Sequence, residues 1–208
     1  VPVETVLGRD GLCLGDCGIA ESKFEKGEDI STRMLALISR MTELRRSGTP
    51  DMEFAVVGLL VRSQLASGQA ADARRTVESL RERYVEQGQE RFLPNIDALL
   101  CRIDLHAGDL DGAEAWYRTS APRDPLHLNV MKRYQYLTQA MVELAEGRPE
   151  AALLTLSLLE PYCTACARHI DGIHLHVLCA IAYYRMKDAR WRGEMTTALD
   201  EAARYSFI

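Results

Sequence analysis

Leu93, Ile96, Leu100, Ile103 and Ala107 recur at intervals of three or four, which places them on one face of a helix. The pattern stops at Gly108, and a new helical pattern runs through Ala113 to Trp116. The same cadence occurs in "LLVRSQLASGQAADARRTV" (59–77) and "LTQAMVELAEGRPEAALLTL" (137–156). Gly27, Gly68, Gly108 and Gly147 are spaced 41, 40 and 39 residues apart, and Lys187 stands forty residues further on. Five positions after each glycine comes a small residue or threonine: Thr32, Ala73, Ala113 and Ala152. Arg192 breaks that pattern in the last unit.

The chemistry at these breaks is that of a helical hairpin. Glycine takes the left-handed conformation that ends a helix without a Cβ clash. Asp109 can cap the next helix by accepting a bond from a backbone N–H, and Pro149 suits a first helical turn. Alanine one and a half turns past the break lets two helices approach closely. A single hairpin buries too little apolar surface to stand alone, but stacked hairpins share a core. The pattern therefore predicts an all-α, right-handed stack of about five tetratricopeptide-like hairpins in a single domain over 1–208, with repeats at about 11–47, 51–87, 91–119, 125–160 and 165–206. The helices within them are expected at 11–26 and 28–47, 51–67 and 69–87, 91–107 and 109–119, 125–146 and 148–160, and 165–187 and 189–206. "TSAPRDP" (119–125) reads as a loop between repeats, and strand signals are absent.

Composition narrows the function classes. The 208 residues are 47% hydrophobic and 26% charged, which is ordinary for a globular protein, and no apolar run approaches a bilayer span. A net charge of −5 argues against a nucleic-acid surface, and the arginines of 71–84 are interspersed with glutamates as on a solvated helix face. A chain that opens on Val1 without a signal peptide reads as a piece of a longer protein. Cys101 and Cys179 lie within apolar helical patterns, where a thiol acts as a small hydrophobe, and a reducing cytoplasm is the expected compartment.

"CTACARHIDGIHLH" (163–176) is the one stretch with metal-like spacing. Cys163 and Cys166 have the two-residue gap of half a zinc site, and His169, His174 and His176 follow. A second CxxC is missing, so a helix start carrying buried thiols is the preferred reading, with Cys163, Cys166 and His169 as the alternative metal set. "DLHAGDLD" lacks the ligand pattern of an EF-hand and is better explained by capping. Phosphate-binding loops, nucleophile elbows and HExxH helices do not occur. The sequence predicts no cofactor and no catalysis.

Three blocks carry a resemblance: "LLCRIDLHAGDLDGAEAWYRTSAP", "MKRYQYLTQAMVELAEGRPEAALLTLSLLEPYC" and "ARHIDGIHLHVLCAIAYYRMKDARWRGEMTTALDEAARYSFI". In this order they resemble the helical-repeat sensor region of LuxR-family regulators of the MalT type. The resemblance covers roughly residues 52–208, and the first fifty only by repeat spacing. It implies a multidomain transcription activator with an N-terminal nucleotide-binding ATPase module and a C-terminal helix-turn-helix that binds DNA. Neither is in this chain, so the segment itself would sense an effector or contact a partner.

In stacked hairpins the first helix of each pair lines the inner groove. Positions thirteen and six residues before each break are then the candidate ligand contacts: Ala55 and Arg62, Asn95 and Arg102, Tyr134 and Met141, His174 and Ile181, with Tyr184 one turn on. The arginines suit a carboxylate or phosphate, and the tyrosines an aromatic or sugar ring. A small-molecule effector is the first expectation, and a scaffold taking a peptide or partner helix in the same groove is the second. A metal- or redox-responsive module built on 163–176 is a distant third. Self-association through the end hairpins is also expected, and no contact with membrane.

Overall fold

The computed structural model describes residues 3–47, 50–124, 128–165 and 169–207. They form α1 (Val3–Glu25), α2 (Ser31–Ser47), α3 (Pro50–Ala66), α4 (Ala70–Glu86), a 3-10 turn (Glu90–Phe92), α5 (Leu93–Ala107), α6 (Leu110–Thr119), α7 (Val130–Ala145), α8 (Pro149–Ala165), α9 (His169–Arg185) and α10 (Trp191–Arg204). There is no strand among the described residues. The fold is all-α and tetratricopeptide-like, as the glycine cadence predicts. Contacts divide the chain into two compact units, one ending at Leu93 and the other spanning Pro94–Phe207.

One turn chemistry recurs at all five hairpins. Gly27, Gly68, Gly108 and Gly147 have φ of 69°, 73°, 77° and 73°. At each break the residue after the glycine donates its N–H to a carbonyl five residues back, as in Asp109 to Asp104 (2.9 Å) and Arg148 to Glu143 (2.8 Å). This is the Schellman closure, which satisfies carbonyls that the helix end leaves orphaned. Asp109 then caps α6 by accepting from the Gly112 N–H at 3.0 Å. At the fifth break Lys187 takes the same conformation, with φ 58°, and Asp188 donates to Tyr183 O at 2.9 Å. A side chain there costs roughly 1–2 kcal/mol, more than the roughly 0.5–1 kcal/mol of extra chain entropy that glycine loses on folding. Lys187→Gly is accordingly expected to stabilise the chain by about 0.5–1 kcal/mol, read as a raised urea midpoint at unchanged slope. A lowered midpoint would show that Lys187 makes compensating contacts.

Several boundaries depart from expectation, those of α7 and α8 for local reasons. α1 reaches upstream to Val3 rather than beginning near residue 11. α7 starts at Val130, not 125, because the Asn129 side chain accepts from both Met131 and Lys132 N–H at 3.0 Å and fixes the cap there. α8 continues through Pro161 to Ala165 instead of ending at 160. Pro161 and Ser157 are both exposed, so the carbonyl that loses its helical donor faces water. The small-residue position also fails at the ends. Ala73, Ala113 and Ala152 are fully buried, whereas Thr32 and Arg192 are exposed. Their hairpin turns are two or three residues longer, so α2 and α10 begin later and the fifth position falls in an outward-facing first turn; Met34 is buried instead in the first hairpin.

In the first unit α1 packs on α2 and α3, and α3 on α4, around Val56, Val61, Val77, Leu80 and Tyr84. Phe92 meets the Tyr84 ring edge-on at 5.3 Å. Glu53, 3% exposed, is held between Arg45 Nε (2.8 Å) and Arg83 Nη2 (2.6 Å), a charged bolt across α2, α3 and α4.

The second unit has two apolar clusters. Trp116 packs with Ala98, Cys101, Ala113, Ala121 and Val142. Leu144, Leu156, Leu159, Leu175 and Ala182 join α7, α8 and α9. α5 buries more than the single face predicted: Asn95, Ala98, Leu99, Cys101 and Asp104 are buried beside Ile96 and Ile103, while Ala107 is exposed. A first helix of a hairpin touches both its own partner and the next hairpin, so one stripe does not describe it.

Candidate functional site

The predicted groove residues fall into two groups. In the first unit Arg62 is ion-paired to Glu21 (3.2 Å) and Glu25, with its guanidinium 5.0 Å from the Phe24 ring. In the second unit Arg102 lies 3.8 Å over the Tyr134 ring and donates to Thr138 Oγ1 (2.8 Å) and Tyr134 O (3.3 Å). Asn95, 4% exposed, accepts from Gln135 Nε2 at 2.7 Å and donates to Met131 Sδ at 3.7 Å. These side chains tie the first helix of one hairpin to the first helix of its neighbour: α3 to α1, and α5 to α7. Their polar groups are engaged within the protein, so a ligand there would compete with existing bonds. Ala55, Met141 and Ile181 are half-buried. His174 is exposed on α9, and Tyr184, 66% exposed, meets Trp191 edge-on at 5.7 Å.

A better-formed concavity lies between α8, α9 and α10. One cavity of about 250 Å³ is lined by Glu160, Cys163, His169, Gly172, His176 and Glu201, among others. A second, of about 120 Å³, shares Glu160, Leu175 and His176 with it and adds Cys179, Tyr183 and Glu194. Gly172 opens the floor: a Cβ there would stand 3.4 Å from Glu201 Oε2. His176 Nδ1 and Glu194 Oε2 are 2.7 Å apart, both half-buried, and this pair fixes the imidazole between the two cavities. His169 stacks on the Tyr205 ring at 3.9 Å and 21°, closing one end. Burial pushes the Cys179 thiol up to about 12, with Glu194 and Glu160 adding to the shift, so it lines the cleft as a neutral thiol rather than a nucleophile.

The 163–176 stretch thus contributes a cleft wall. Cys163 is buried at the end of α8, and Cys166 lies outside the described residues. Among the described residues no group of three or more His, Cys, Asp or Glu is arranged to hold a metal ion. Sequence reasoning singled out the histidines but missed Glu160, Glu194 and Glu201. The last two stand on α10, 18 and 25 residues beyond His176, and no local spacing marks them. Only the antiparallel return of α10 on α9 brings them to the cleft.

A family model described as the MalT-like TPR region matches residues 35–208. The chain belongs to that family. Comparison with curated proteins and with solved structures returns no match. The family region takes in both helices of the last four hairpins and hence the whole α8–α9–α10 cleft. No helix among the described residues is long and apolar enough to cross a membrane.

Proposed function

We propose that this MalT-like TPR region is the effector-sensing part of a LuxR-type transcriptional regulator, working in the cytoplasm and without catalysis of its own. On this reading ATP and DNA belong to other domains of the full-length protein. The observation that carries it is the α8–α9–α10 cleft. Two cavities of about 250 and 120 Å³ share Glu160, Leu175 and His176, and only together do they reach the lower end of the range for small-ligand sites, about 300–1,000 Å³. A ligand with hydroxyl or amino groups would meet Glu160, His176 and Glu201 as acceptors and a Leu175 wall as the apolar contact. A peptide partner is the second reading, supported by Leu154 and Leu158. They are 70% and 38% exposed one turn apart on α8, next in sequence to cleft-lining Leu153 and Ser157.

A thermal-shift screen of sugars, small metabolites and short peptides tests this, because a ligand that binds only the folded state raises the melting temperature. The expected result is a hit whose shift disappears in Glu160→Gln and His176→Ala. If those variants respond like the parent while Arg102→Ala and Tyr134→Ala lose the shift, the ligand sits on the α5–α7 face instead and the cleft assignment fails.

A further inference from the structure

We infer that the α9–α10 turn is a second, separate binding site, for a small organic phosphate with an aromatic ring, such as a nucleoside monophosphate. The inference starts from Lys187. Four of the five hairpin breaks carry glycine in the left-handed conformation; the fifth carries lysine at φ 58°. A left-handed lysine at a turn that glycine would close more cheaply calls for a role beyond closing the turn.

Lys187 lines a cavity of about 500 Å³ with Tyr184, Arg185, Ala189, Trp191 and Arg192. That lining holds three cations and no carboxylate, in a protein of net charge −5. The neighbouring acid, Asp188, is occupied: its Oδ2 accepts from Arg190 Nη2 (2.6 Å) and Nε (3.0 Å). Arg185 is anchored by donating to Leu144 O, which limits its reorientation on binding. Trp191 and Arg192 are the first residues of α10, so the positive end of that helix adds to the field. Phosphoryl oxygens suit this set: Lys187 as a point charge, Arg185 and Arg192 as multidentate donors.

The ring specificity comes from Tyr184 and Trp191. They meet edge-to-face at 88°, and Tyr184 is 66% exposed, leaving an aromatic face for a base to stack on. Arg192, 5.0 Å from the Trp191 ring centroid, sits between the stacking surface and the phosphate cluster. Neither the cations nor the aromatics line the α8–α9–α10 cleft, so this site is independent of the proposed effector site.

The test is calorimetric titration of the full chain with adenosine monophosphate, ribose 5-phosphate, inorganic phosphate and adenosine at low salt. The monophosphate is expected to bind most tightly, ribose 5-phosphate and phosphate more weakly, and adenosine not measurably. Raising the salt should weaken all phosphate binding, because these charges are exposed. Lys187→Gly should weaken the monophosphate by about fivefold and Arg192→Ala by about tenfold, in line with loss of one charge-assisted contact each. Trp191→Ala should bring the monophosphate down to the level of ribose 5-phosphate. Lys187→Gly keeps the fold, since glycine suits the turn, so a loss there reports on binding. Unchanged affinity in both Lys187→Gly and Arg192→Ala, equal binding of adenosine, or no phosphate binding at millimolar concentration would each overturn the assignment.

Discussion

Trp116→Ala is expected to destabilise the second unit by about 3–5 kcal/mol, the range for truncating a large aromatic in a core that cannot collapse. Trp116 is 7% exposed and its neighbours are Ala98, Cys101, Ala113, Ala121 and Val142, nearly all small. The buried neighbours are small, and the larger side chains packed on the cluster, Leu105, Tyr117 and Tyr134, are only partly buried; Tyr117 is held by Glu143 and Tyr134 lies under Arg102, so little is free to fill the space. Backbone movement of α6 toward α5 is opposed by the Gly108 turn and the Asp109 cap, which fix that hairpin angle. Trp116→Phe should cost less than half as much, since it keeps a ring and deletes an indole N–H that is buried without a hydrogen-bond partner. Urea denaturation followed by far-UV circular dichroism measures both. A loss below about 1.5 kcal/mol for the alanine variant would mean the cluster relaxes around the void, contrary to the packing described.

The same cluster separates what sequence encodes locally from what tertiary packing adds. The glycine cadence and the alanines five positions on encode local geometry: a left-handed closure and a close helix approach. Such rules act within ten residues, so Ala73, Ala113 and Ala152 were legible as hairpin contacts. Thr32 does not take the buried position because turn length moves the helix start, and Arg192, which already breaks the pattern, faces outward for the same reason; that length goes with capping by Asp29 and Asp188 rather than with the apolar period. Ser31 draws both its N–H (2.9 Å) and its hydroxyl (2.6 Å) onto Asp29, a capping pair that spacing alone does not distinguish from a solvated polar segment.

The candidate site was less legible. Positions counted back from each break were assigned to a ligand groove; Arg62, Asn95 and Arg102 among them lie between the first helices of neighbouring hairpins. What spacing could not reveal is that Glu21, Glu25, Thr138 and the Phe24 and Tyr134 rings already engage those guanidiniums. The cleft depends on α10 returning along α9, a tertiary pairing that joins His169 to Tyr205 and His176 to Glu194. Neither pair has a local sequence signature.

Glu143→Leu is expected to cost about 2–3 kcal/mol, although leucine is the more apolar residue for a site only 2% exposed. The reason is the set of donors aimed at the carboxylate. Tyr117 Oη and Gln139 Nε2 each donate to Oε1 at 3.0 Å, and Thr155 Oγ1 donates to Oε2 at 2.8 Å. Leucine would take the acceptor from the Tyr117 and Thr155 hydroxyls and leave Gln139 with only its longer bond to Thr155 Oγ1 (3.3 Å), and that desolvation penalty exceeds the transfer gain of the new side chain. Burial, together with the Glu143 charge, raises the Tyr117 pKa, so the phenol keeps its proton and its donor role across the neutral range. Thr155→Val and Tyr117→Phe each remove one donor while the carboxylate keeps others, and should cost about 1 kcal/mol apiece. In a double-mutant cycle, adding Thr155→Val to Glu143→Leu should cost less than Thr155→Val does alone, because one orphaned hydroxyl disappears. Additive losses would show that the carboxylate and the threonine do not act as one network. The network joins α6, α7 and α8, and α8 carries Glu160 into the ligand cleft. Loosening it should therefore also weaken any ligand found to depend on Glu160, a coupling measurable by repeating that titration on the Glu143→Leu protein below its unfolding transition.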